Sequence, residues 1–146
     1  MKVIAPTLIL VAMLLITSAC GSNDQITVHD AWARPGFLGD NSAIYLTIQN
    51  HSESGDGLIG VDTDIAGSSE IHLSKMDSAG NMTMEQQNLV VFPPNGTVEF
   101  SPGGLHIMLV NLMKDLSVED TFQLTLQFQR AGDMTVEVEV KQPVTE

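Results

Sequence analysis

The chain has 146 residues, with 18 acidic side chains against six basic ones and a formal net charge of −12. That length suits one domain of ordinary size, and so acidic a surface disfavours nucleic acid and anionic lipid as partners. Solubility accounts for most of the acids, although they would also favour cations or basic protein patches at encounter.

At the N-terminus, Lys2 precedes an apolar run from Val3 to Ile16 and then Thr17-Ser18-Ala19-Cys20, which holds the only cysteine. A basic start, an apolar segment short for a membrane span and small residues at its end read as a secretory signal peptide over residues 1–19. An uncleaved anchor helix is the alternative. The small residues before a lone cysteine resemble the lipobox of bacterial lipoproteins, although Thr17 stands where that motif usually has Leu. In that motif the cysteine is diacylated and becomes the first mature residue. The resemblance implies export to the bacterial cell envelope and a membrane anchor through lipid on Cys20, with residues 20–25 as the lipidated cysteine and a polar tether. Two acyl chains give stable anchoring. Acylation would also remove the only thiol from disulfide, nucleophilic or metal chemistry.

Beyond the tether the hydropathy has period two, not 3.6. Candidate strands follow in order: Ile26–Ala33, Ala43–Gln49, Leu58–Asp62, Ser69–Lys75, Met82–Gln87, Thr97–Phe100, Leu105–Asn111, Thr121–Gln129 and Met134–Lys141. Turn-forming clusters separate them, among them Pro35-Gly36, Ala79-Gly80-Asn81, Pro93-Pro94-Asn95-Gly96 and Pro102-Gly103-Gly104. The pattern predicts an all-β domain over residues 26–142, a β-sandwich of Greek-key type. Alternation is cleanest in Phe122, Leu124, Leu126 and Phe128, and again in Val136, Val138 and Val140.

Against this background, four residues stand out. Leu105, Ile107 and Leu109 take the core parity of their strand, which leaves His106 and Met108 side by side on the opposite face. By the same rule Ile71 and Leu73 leave His72 with Glu70, while Met82 and Met84 share a face. A methionine in an average β domain is more often packing than ligand, and a lone histidine is usually a surface residue. Here the methionines at 76, 82, 84, 108 and 113 cluster with His72 and His106 in one stretch. Those off the core parity gain little as bare thioethers. Imidazole and thioether donors without a thiol suit Cu(I) better than Zn(II), Ca(II) or Mg(II). They also escape the oxidation that threatens thiolates in an exported protein. A blue-copper electron carrier would need a cysteine ligand beside two histidines, and Cys20 lies in the export signal.

The spacing of His72, Met84 and His106-x-Met108 resembles the signature of the periplasmic copper chaperones known as the PCu(A)C family. The likeness extends to Val28-His29-Asp30-Ala31-Trp32-Ala33-Arg34-Pro35, to Ala43-Ile44-Tyr45-Leu46-Thr47-Ile48-Gln49-Asn50, and to Ser101-Pro102-Gly103-Gly104 before the metal strand. It implies a cupredoxin-like β-sandwich that binds one Cu(I) through His72, Met84, His106 and Met108. It also implies delivery of the ion to the dinuclear copper site of a cytochrome c oxidase subunit, or to another copper chaperone. Leu73 stands where many members carry a second Met, which is not among the four expected ligands. Met76 and Met82 could serve in its place or merely pack, and His29 and His51 read as structural or surface residues.

Nothing in the chain resembles a nucleophile–base pair, a phosphate loop or a carboxylate dyad, so a carrier is expected and not an enzyme. Two alternatives remain: copper storage or detoxification without dedicated transfer, and an immunoglobulin-like lipoprotein that binds no metal.

Overall fold

The computed structural model describes residues 25–143. The expected signal peptide, Cys20 and the tether before Gln25 lie outside the described residues. Ten strands follow one another without a helix among the described residues: β1 (Ile26–Ala33), β2 (Ser42–Asn50), β3 (Asp56–Asp62), β4 (Ala66–Met76), β5 (Met82–Gln86), β6 (Val90–Phe92), β7 (Thr97–Phe100), β8 (Leu105–Leu112), β9 (Thr121–Phe128) and β10 (Gly132–Val140).

Nine of these match expected strands, with ends that move by up to three residues. The tenth, β6, was not expected. It is three residues long and stops at Pro93-Pro94, too short for alternation to declare itself. Even so, Val90 and Phe92 point inward while Val91 is exposed.

The strands are hydrogen-bonded in the order β5-β4-β8-β2-β1-β10-β9-β3-β6, with β7 also on β2. Neighbours distant in sequence, β4 beside β8 and β3 beside β9, give the Greek-key β-sandwich its crossovers. β1 joins the two halves. It runs antiparallel to β2, and its last residues run parallel to β10 through Trp32↔Glu139 and Ala33↔Val140. The register shifts between His29 and Trp32, where Asp30 adopts a φ of 53°. A bulge of this kind bends a strand and increases its twist.

The core holds most of what the alternation assigned to it, although Val136 is only half-buried against it and Leu73 stands outside it. Leu124, Leu126 and Phe128 from β9 meet Val138 and Val140 from β10, Ile44, Leu46 and Ile48 from β2, and Ile107 and Leu109 from β8. Each such side chain contributes roughly 1.5–3 kcal/mol by leaving water. With the inner positions occupied in this way, the outer positions of β4, β5 and β8 are free to carry chemistry.

Candidate metal centre

β4 and β8 pair antiparallel, and the register sets His72 directly opposite His106. The buried pair on one side, Ile71↔Ile107, holds this register, with the half-buried pair Leu73↔Leu105 on the other. A slip of one residue would turn both apolar sets outward. The two imidazole rings meet edge to face, with centroids 5.8 Å apart and planes at 62°. Two residues along, Met108 lies opposite Glu70 on one side and Ala43 of β2 on the other. Met84 comes from β5, opposite Ser74 of β4.

Each imidazole is oriented by a different partner. His106 Nδ1 lies 3.1 Å from the Gly104 carbonyl. A carbonyl only accepts, so Nδ1–H donates to it and Nε2 keeps the lone pair. His72 Nε2 lies 2.8 Å from Glu70 Oε2, so Nε2–H donates to the carboxylate and the lone pair is at Nδ1. That Nδ1 is buried and has no hydrogen-bond partner. A buried acceptor in that condition costs about 1–3 kcal/mol, a cost that a metal ion would remove. A carboxylate behind an imidazole also raises its basicity as a ligand.

A pocket of about 340 Å³ opens beside this pair. Met84, His106 and Met108 line it together with Met82, Arg34, Tyr45 and Ser74. His72 does not line it and reaches the group through its contact with His106. Three of the four expected donors thus face one space, and Met82 joins them. Met76, paired with Met82 across β4 and β5, stays outside that wall and is exposed.

The outer face is uneven in its wetness. Met84 is 57% exposed, whereas His106 is only 5% exposed. A histidine off the core parity is expected to be wet. His106 is not, because the β1–β2 connection, β2 and β5 all stand around the pocket it lines. Among the described residues no group of three or more His, Cys, Asp or Glu side chains is placed to hold a metal. The soft donors that line the pocket are one imidazole, His106, and the thioethers of Met82, Met84 and Met108.

The pocket wall also includes residues that the sequence did not single out. Arg34 lies over the Tyr45 ring, 5.4 Å from its centroid, and Trp32 packs on the same ring at 4.7 Å. Burial raises the Tyr45 hydroxyl above its ordinary range, and the Arg34 guanidinium opposes that shift. Parity offers a signal for Tyr45, since Ala43 and Tyr45 alternate with the buried Ile44 and Leu46. Arg34 has no such signal, because it lies beyond the end of β1. His29 and His51 are both exposed on β1 and just past β2, apart from this group as expected.

The LpqE-like family model ("Putative lipoprotein LpqE-like") matches residues 26–140. RP573 of Rickettsia prowazekii (strain Madrid E) is 32% identical over 122 residues, which cover 80% of this chain and 67% of that one. The copper-bound PCuAC domain from PmoF2 superimposes with a TM-score of 0.68 at 28% identity, covering 82% of this chain and 94% of that chain. The apo PCuAC domain from PmoF1 gives a TM-score of 0.70 at 27% identity, over 82% and 95%. These likenesses bear out the cupredoxin-like sandwich expected from the sequence, and the chain belongs to the LpqE-like family, with a domain of the PCuAC type.

Proposed function

We propose that this protein is an envelope-anchored Cu(I) metallochaperone that holds one ion through His72, Met84, His106 and Met108. The observation that carries the reading is the complementary state of the two imidazoles. Gly104 takes the proton side of one ring and Glu70 that of the other, so each ring keeps one lone pair, and the His106 ring lines one pocket with the Met84 and Met108 thioethers. Cu(I) is a soft ion that accepts both donor types. The likeness to a copper-bound PCuAC domain supports the same ion.

The geometry suits transfer as well as binding. His106 is buried and fixed, so it would anchor the ion, while the exposed Met84 would be the first ligand to exchange. Neutral thioethers release Cu(I) more readily than thiolates do. An acceptor's donor atom could approach over Met84 and Met82 and take the ion without unfolding the site. Glu70 offsets the positive charge and holds the His72 ring. No bond is made or broken in a substrate, so the role is that of a carrier and not an enzyme.

We assign the anchor to lipid on Cys20, in line with the lipoprotein description of the family. The acceptor in this reading is the dinuclear copper site of cytochrome c oxidase or a second chaperone upstream of it. The test is a Cu(I) competition titration against a chromophoric chelator, in a Cys20→Ser background that removes the thiol. One equivalent should bind tightly, and Met84→Ala/His106→Ala should lose it while its circular dichroism stays unchanged. Failure of the natural site to compete for Cu(I) would overturn the assignment. Transfer from loaded protein to an oxidase copper domain then separates a carrier from a store.

A further inference from the structure

The two histidines outside the candidate centre are also paired. His29 lies on β1, and His51 follows the end of β2 with its backbone N–H donated to the Gln25 carbonyl at 2.7 Å. The register sets Thr27 opposite Gln49 and His29 opposite Thr47. Thr27, His29 and His51 therefore share the outer face of the β1–β2 pair, while Ile26 and Val28 turn to the core. On that face His29 Nε2 lies 3.1 Å from Thr27 Oγ1, and His51 Nε2 lies 2.9 Å from the same oxygen. The two ring nitrogens are thus within about 6 Å of each other, flanking one hydroxyl.

We propose that His29 and His51 form a second metal site, one for a divalent ion of the Cu(II) class. A hydroxyl has one proton, so Thr27 donates to one imidazole and accepts from the other. At least one Nε2 already presents a lone pair, and the other does so by a change of tautomer with no net loss of a proton. Metal–imidazole bonds are about 2.0–2.1 Å long, so the two nitrogens must draw together. Both rings are exposed and so have room to rotate toward each other, while β1 and the His51 N–H bond to the Gln25 carbonyl hold their backbones.

The donor chemistry differs from that of the first centre. No methionine lies on β1 or β2, and the oxygen between the two rings is the Thr27 hydroxyl. Imidazole with oxygen donors favours divalent copper over the other first-row ions and gives a soft monovalent ion little. The sites are also separate in space. Met108 is opposite Ala43 and His29 is opposite Thr47, four residues along β2 or roughly 13 Å at the rise of a strand. The acidic surface adds long-range attraction for a dication.

The site is tested with Cu(II) itself, added to the purified protein in a Cys20→Ser, Met84→Ala/His106→Ala background and followed by electron paramagnetic resonance. One equivalent should give an axial signal with nitrogen superhyperfine structure from two imidazoles. His29→Gln or His51→Gln should each weaken binding by about tenfold or more and remove that pattern. Binding that is absent at micromolar Cu(II), or that survives both substitutions, would overturn the proposal. Cu(I) titration of the His29→Gln/His51→Gln protein reads the first centre independently, so failure of one site does not count against the other.

Discussion

In β9, Phe122, Leu124, Leu126 and Phe128 are buried, and the alternating outward positions are Gln123, Thr125 and Gln127. In β8, Ile107 and Leu109 are buried in the same way, but the intervening positions are His106 and Met108. Both strands satisfy the sandwich with one face only. What separates them is the use of the second face: polar and uneventful in β9, lined with soft donors in β8 and its neighbours β4 and β5. A β-strand with period two can therefore carry fold and function at once, and a substitution on one face should leave the other readout largely untouched.

The largest break in that comparison should come from the inner face of β9. Leu124 is fully buried, so Leu124→Ala is expected to cost about 2–5 kcal/mol in urea unfolding. The protein that remains folded should keep its Cu(I) affinity. The mirror experiment uses the other strand group. Met84→Ala/His106→Ala should lower Cu(I) affinity at least about a hundredfold, roughly 3 kcal/mol, and shift the unfolding midpoint far less than Leu124→Ala does.

A smaller effect sharpens the account of how the donors are held. Glu70→Ala removes the carboxylate behind His72 and should weaken Cu(I) binding about tenfold, the lower end for such supporting partners. Glu70→Gln, which keeps an acceptor oxygen, should recover part of that loss in the same titration. On the outer face of β9, Gln123→Thr should change stability by no more than about 0.5 kcal/mol and leave copper binding unaltered.

The least effect is expected at the β4–β5 turn. The Asn81 side-chain amide and the backbone N–H groups of Asn81 and Ala79 all donate to the Asp77 carboxylate. These bonds, led by the Asn81 side chain, hold its pKa below the ordinary carboxylate value. A lowered pKa means that the contribution is present above the unfolded value and is lost as pH falls through the folded one. Urea unfolding at pH 7 and pH 3 should show a slightly smaller acid loss in Asp77→Asn than in the natural protein.

Much of this was legible in the residue order. Parity alone set Ile71, Ile107 and Leu109 inward and His72, His106, Met84 and Met108 off the core, because side-chain direction in a strand is a local property. The parts that escaped are non-local. Register decides that His72 faces His106 and not some other residue of β8, and no single strand contains that information. The burial of His106 depends on β2 and β5 coming round the pocket, and the Arg34–Tyr45 stack joins residues from either side of the β1–β2 turn. β6 was missed for a simpler reason, since three residues show no period.

The central claim is that two imidazoles and two thioethers hold the ion. Copper K-edge absorption on Cu(I)-loaded protein in the Cys20→Ser background tests it most directly. The account predicts a reduced copper centre with both nitrogen and thioether sulfur in its coordination shell, losing sulfur in Met84→Leu and again in Met84→Leu/Met108→Leu. A shell of nitrogen and oxygen alone, unchanged by either substitution, would contradict it.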